Sequence, residues 1–210
     1  MGHDTDEGDL LDGDPPWDPW TPGEVASRLA GASLRWYVVA GWAIDLFLGR
    51  VTRAHGDIEI GIPAGSFPAV REALGDFEFD VVGSGRRWRL DSPAFADHFQ
   101  TWVRSPATGL YHLDVFRDPH DGETWLCRRD TSIRMPYQEL VHIDRNSIPY
   151  MSPEIVLLFK AKHNRDKDRA DLNLVLPLLK SSQLCWLSEK LEMLHPGHPW
   201  LGELQRQLAV

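Results

Sequence analysis

Hydrophobic and polar positions run along this chain in two rhythms. The first mixes short β-like runs with isolated helices; the second, from Ser152 onward, is helical. Thr21-Pro22-Gly23-Glu24 combines a Thr N-cap, Pro at the first helical position and Glu at the third, so it predicts a helix with Val25 and Leu29 inward, ending near Gly31. Trp36 to Ala40 is β-branched and aromatic and reads as a buried strand. Ala43 to Leu48 has helical character, with Gly49 as its C-terminal cap. Asp57-Ile58-Glu59-Ile60 alternates with the period of a strand that has one polar face. Ser66 to Leu74 predicts a helix. Phe77–Val82, Arg87–Leu90, Phe99–Val103 and Leu110–Phe116 read as strands separated by Gly, Pro and Asp turns. Residues 117–150 suggest short strands and loops, clearest around Val141–Ile143. Beyond them, Ser152-Pro153-Glu154 opens a helix over 153–163, and further helices are expected over 167–179, 183–194 and 199–208.

The expected fold class is therefore α+β: a mixed sheet with flanking helices over 21–150, followed by a small helical subdomain over 151–210. Residues 1–20 carry seven acids and three prolines, and are expected to form an acidic tail, floppy or draped on the surface. Lys and Arg number 22 against 31 Asp and Glu, a net charge of −9. That excess argues against binding duplex nucleic acid and suits a cationic small-molecule partner. The two cysteines, Cys127 and Cys185, are too few for a disulfide framework and read as thiols of a reducing compartment. No apolar run is long enough for a membrane span and the start lacks a signal-peptide pattern, so a cytoplasmic location is expected.

Chemistry gathers in the first half. On a strand, Asp57 and Glu59 project from one face, and two neighbouring anions are relieved by a divalent cation such as Mg²⁺. Solvent-facing acids on an amphipathic strand would give the same spacing. Upstream, the small-residue turn Ala40-Gly41 joins a strand to a helix start, which presents backbone N–H groups and the positive end of the helix dipole to a phosphate. The following loop brings Arg50 and Arg53. Downstream, Asp114 stands on an alternating strand, able to share a face with His112 and Phe116. If that strand lies beside 57–60, three carboxylates converge; Asp91 or Asp97 could take its place.

These segments resemble the nucleotidyltransferase superfamily with the DNA polymerase β-like fold. Closest are the aminoglycoside 2″-adenylyltransferases and lincosamide nucleotidyltransferases. The resemblance rests on Ala40-Gly41-Trp42-Ala43-Ile44-Asp45, on Arg53-Ala54-His55-Gly56-Asp57 with Glu59, on Asp114, and on Ser152 to Lys160 with Lys167, Asp168 and Asp171. Ala40 stands where the family has its first glycine, and Glu59 where these members often have Asp. The resemblance implies a transferase that moves a nucleoside monophosphate, AMP from ATP, to a hydroxyl of a small and aminoglycoside-like molecule. Asp57, Glu59 and Asp114 would hold two Mg²⁺ ions, with Asp114 also able to act as general base on the acceptor. Ala40, Gly41, Trp42, Arg53 and Lys160 would meet the nucleotide. Packing competes for Trp42 and a solvated helix face for Lys160. His55 and His112 read as positioning residues, and Asp168 and Asp171 as locks of the helical part. Alternative outcomes are a protein or RNA acceptor, served by Arg86, Arg87 and Arg89 or by Lys160, Lys162, Arg165, Lys167 and Arg169, and a nucleotide binder without turnover.

Overall fold

A computed structural model describes residues 7–11 and 15–209; the acids at 4, 6, 12 and 14 lie outside the described residues. In chain order the elements are β1 (Asp9–Leu10), α1 (Pro22–Arg28), β2 (Tyr37–Val38), α2 (Ala40–Leu48), β3 (Glu59–Pro63), α3 (Phe67–Ala73), β4 (Glu78–Gly83), β5 (Arg86–Arg89), α4 (Ala94–Asp97), β6 (Gln100–Arg104) and β7 (Tyr111–Asp118). There follow β8 (His120–Asp121), β9 (Thr124–Cys127), β10 (Asp130–Pro136), α5 (Tyr137–Leu140), β11 (Val141–Ile143), β12 (Pro149–Met151), α6 (Pro153–Ala161), α7 (Asp166–Val175), α8 (Ser181–Leu194) and α9 (Leu201–Leu208). Where the change of rhythm put a boundary near residue 150, packing groups the chain differently. Residues 1–37 with 55–120 form one compact unit, and 38–54 with 121–210 the other. Periodicity marks where an element type begins; it does not report which elements pack together.

In the first unit the strand order is β1-β5-β4-β6-β7-β3. β3 and β7 are parallel, and the other pairs are antiparallel. Ile58, Ile60, Ile62, Leu113, Val115, Val103 and Val81 are all buried, as one alternating face requires. That face takes Phe67 of α3, whose ring meets Phe79 edge to face. It also holds Arg117, whose guanidinium stacks 3.5 Å from the Phe95 centroid and donates to the His98 carbonyl. Burial pushes that guanidinium down to about 10. The opposite face carries Glu59, Asp114, Gln100, Trp102 and Asp80, linked through the strand registers. Helix α1 begins with the expected capping box, Thr21 with Glu24. The segment expected as a tail is held along much of its described length: β1 pairs with β5, Trp17 bridges to Tyr111, and Trp20 is buried. Aromatic surface outweighs like charge there.

In the second unit α6 is the central helix, with Ile155, Val156, Leu157 and Leu158 all buried. α2 and α7 pack against it on one side and α8, with α9 behind, on another. Its last carbonyls are capped by Arg129, which donates to Leu158 and Phe159 at 3.2 and 2.8 Å. β12 pairs with β11, and Tyr150 with Val38, while β9 and β10 form a hairpin from the stretch that sequence patterning left least defined. Both cysteines are free thiols, Cys127 buried and Cys185 exposed. Among the described residues, no helix is long and apolar enough to cross a membrane.

Candidate functional site

Glu59 and Asp114 are brought together by register. They are direct partners across the parallel β3–β7 pair, and the Asp114 N–H donates to the Ile58 carbonyl at 2.9 Å. Paired residues of neighbouring strands point to one face, so the two carboxylates stand side by side on the polar face of the sheet. The flanking isoleucines hold that orientation because a one-residue slip would turn both acids into the core. Asp114 is only 4% exposed, whereas Glu59 is half-buried. A polar partner that sequence patterning did not single out fixes Asp114: Gln100 Nε2 donates to its Oδ2 at 2.5 Å. The signal was present, since Gln100 and Trp102 alternate along β6 onto the same face.

Asp57 lies ahead of β3, exposed, so strand alternation does not dictate its direction. Among the described residues, no group of three or more His, Cys, Asp or Glu side chains is gathered as a metal site. Register thus brings Glu59 and Asp114 together, while Asp57 lies two residues upstream on the loop. A pair of carboxylates still fits Mg²⁺, which takes one or two of them and completes its shell with phosphate and water. Of the possible substitutes, Asp91 is engaged in an exposed pair with Arg89, and Asp97 ends the short α4.

His112 does not share the Asp114 face. The register shifts between Val103 and Arg104, so Tyr111 opposes Arg104 and Val103 opposes Leu113. This bulge sends His112 to the other side, stacked on Trp20 at 5.3 Å and edge-on to Phe77, with Nδ1 2.5 Å from the Asp18 carbonyl oxygen. It anchors the segment before α1.

The remaining expected site residues belong to the second unit. Ala40 opens α2 with φ at +54°, in the left-handed region that favours glycine; Gly41 after it is buried. A side chain held there is strained, and such strain concentrates at functional turns. Exchanging Ala40 for Gly removes the clash but loosens the unfolded chain, so the A40G protein should melt at or up to a few degrees above the parent. Ala43→Gly, inside the same helix and buried, should cost about 1 kcal/mol or more. A thermal melt of the two variants checks the sign of each.

Arg53 donates through Nη1 to the Ala54 carbonyl at 3.1 Å, and its Nε is buried with no hydrogen-bond partner. An unspent guanidinium donor in that loop fits an incoming anion. In the same stretch, Asp45 accepts from Thr52 N and Oγ1 at 3.2 and 2.5 Å. Trp42 is half-buried and lines a cavity of about 180 Å³ with Leu46, Val51 and Asn146. Lys160 is buried; its Nζ lies 2.8 Å from Asp171 and 3.5 Å from Asp168, and Asp168 is also held by Arg165. Burial alone would raise the Asp168 carboxyl, but the Arg165 side-chain and backbone donors and the Lys160 charge together hold it below the ordinary range. Asp168 and Asp171 are therefore the expected locks of the helical part.

The profile of the aminoglycoside-2″-adenylyltransferase family matches residues 23–174. No curated protein sequence matches the chain. Among solved structures, the lincosamide antibiotic adenylyltransferase LnuA with bound lincomycin is 17% identical, with a TM-score of 0.53, over 73% of this chain and 92% of that one. The structure of ANT(2″)-Ia in complex with adenylyl-2″-tobramycin is also 17% identical, with a TM-score of 0.55, over 79% of this chain and 91% of that one. A solution structure of ANT(2″)-Ia gives 15% identity and a TM-score of 0.54. With most of its length matched by one family profile and its fold shared with these enzymes, the chain belongs to the aminoglycoside-2″-adenylyltransferase family and is a nucleotidyltransferase of the polymerase β-like fold.

Proposed function

We propose that this enzyme transfers AMP from ATP to a hydroxyl of a cationic antibiotic-like molecule, with Mg²⁺ as the metal. One observation carries the reading: in a chain of this family, Glu59 and Asp114 are register partners on the polar face of the sheet. Two fold relatives were solved with an antibiotic or its adenylyl derivative, which supports an acceptor of that class. Glu59 and Asp114 would hold the metal, with Asp57 of the loop just ahead of β3 as the further ligand proposed, and the metal would supply charge neutralisation at the reacting phosphate. Asp114 takes the proton of the acceptor hydroxyl as its oxygen bonds to the α-phosphorus; the bond from that phosphorus to the bridging oxygen breaks, and pyrophosphate leaves. Gln100 holds the Asp114 carboxylate in the orientation this requires. The Ala40-Gly41 turn, Trp42 and the buried donor of Arg53 would receive the nucleotide. For Lys160 the two carboxylates at its ammonium favour a structural role.

The RNA alternative is weakened by ion pairing. An RNA groove needs available cations. Arg87 faces Asp9 and Asp80, Arg89 faces Asp91, Arg165 faces Asp168 and Arg169 faces Glu203.

The test incubates the folded protein with ATP, Mg²⁺ and a panel including tobramycin and lincomycin, and measures pyrophosphate. Release dependent on one of the acceptors is expected, and Asp57→Asn should suppress it while the melting temperature holds. No release with any small acceptor, from protein that melts cooperatively, overturns the reading.

A further inference from the structure

Residues 15–20 lie ahead of the stretch that the family profile matches, yet they hydrogen-bond to β7, the strand that carries Asp114. The Tyr111 N–H donates to the Pro16 carbonyl at 2.9 Å, the Asp18 N–H to the Tyr111 carbonyl at 2.9 Å, and the Trp20 N–H to the His112 carbonyl at 3.1 Å. Two residues further along β7, the Asp114 N–H turns to Ile58. The N-terminal segment and β3 therefore follow one another along the same edge of β7.

This pairing places Trp17 on the face of the site. Its indole meets Trp102 edge to face at 5.3 Å and Tyr111 at 5.6 Å. Trp102 is the cross-strand partner of Asp114, on the side of β7 opposite Glu59. Tyr111 is fixed from beneath by its hydroxyl, which donates to Asp80 at 2.7 Å. Trp20, three residues on, does the anchoring: it is buried under Arg28 and against Phe77 and His112. Trp17 itself stays half-buried, and the indole N–H of Trp102 is buried without a hydrogen-bond partner. An amphipathic aromatic wall with a spare donor, beside a pair of carboxylates, suits a ring that offers an apolar face, hydroxyls and positive charge.

We propose that Trp17 is an acceptor-contacting residue, supplied by the segment before the family region, against which a sugar ring of the acceptor stacks. This inference rests on the transferase reading above and adds a specificity-determining residue to it. Stacking against a planar base of the nucleotide is the competing occupant, and the kinetics separate the two.

The experiment compares the parent with Trp17→Ala and Trp17→Phe, varying tobramycin or lincomycin at saturating ATP and ATP at saturating acceptor. Calorimetric binding of the same acceptor without ATP is measured in parallel. Trp17→Ala should raise the acceptor KM and Kd about tenfold, leave the ATP KM and Tm within twofold and a few degrees of the parent, and be largely rescued in Trp17→Phe. An unchanged acceptor KM, a parallel rise in the ATP KM, or a joint fall in kcat and Tm overturns the role of Trp17 and leaves the transferase reading standing. If the parent binds an acceptor but releases no pyrophosphate, the transferase reading fails, and weaker calorimetric binding by Trp17→Ala still supports the contact. A parent that binds neither compound overturns it.

Discussion

Asp114→Asn should abolish nucleotidyl transfer to within measurement while leaving the protein folded. The amide keeps the shape of the carboxylate but can neither take a proton nor carry charge towards a cation. Loss of a positioned general base alone costs typically 10²–10⁴-fold, and loss of a metal-holding charge adds to it. Stability should not follow. Asp114 is 4% exposed and stands opposite Glu59, so neutralising it removes a buried like-charge repulsion. The melting temperature should hold or rise by a degree or two. Gln100→Leu separates charge from orientation: the carboxylate remains, its 2.5 Å donor is gone, and a smaller loss, about tenfold, is expected in kcat with a shifted pH profile. Pyrophosphate release and a thermal melt on the same preparations check both. An Asp114→Asn protein within tenfold of the parent kcat would remove Asp114 from the chemistry.

Much of this arrangement was legible in the residues because the strands carry their own directions. Alternation in Asp57–Ile60 and Leu110–Phe116 fixes which side chains are buried, and the isoleucines around Glu59 are buried as that pattern demands. Thr21–Glu24, Gly49 and Ser152-Pro153 mark helix ends by local chemistry, and α1, α2 and α6 begin or end there. What failed to show was non-local. A bulge is a property of two paired strands, so the turn of His112 away from Asp114 had no signature in β7 alone. Strand alternation presumes that the strand has begun, and β3 begins at Glu59, two residues after Asp57. The acidic segment reads as a floppy or surface-draped tail because charge counts are taken along the chain. Trp17 and Trp20 instead find their partners far along the chain, at Tyr111 and His112 of β7.

The same limit applies to Lys160, and it makes the second large effect one of stability. A lysine near the end of an amphipathic helix suggests a solvated or phosphate-facing charge. Here the ammonium is 7% exposed and lies between Asp171, 2% exposed, and Asp168, fully buried. The 2.8 Å contact with Asp171 is an ion pair without hydrogen-bond alignment, so charge rather than geometry holds it. Lys160→Met preserves the stem and removes the charge. Asp171 is then a buried anion without its counterion, a situation that costs about 3–5 kcal/mol, or roughly 6–20 °C in a chain of this size. Asp168 loses less, because Arg165 remains on it. Lys160→Met with Asp171→Asn should recover most of the loss, since no unpaired charge is left. The sign with pH follows. A carboxyl such as Asp168, held below its ordinary 3.8 in the folded state, contributes stability above that value and loses it as pH falls through the folded range. The gap between parent and Lys160→Met should therefore close on acidification below about pH 4, where protonated carboxyls no longer need the ammonium. A Lys160→Met protein that melts with the parent and shows only a raised ATP KM would return Lys160 to the phosphates.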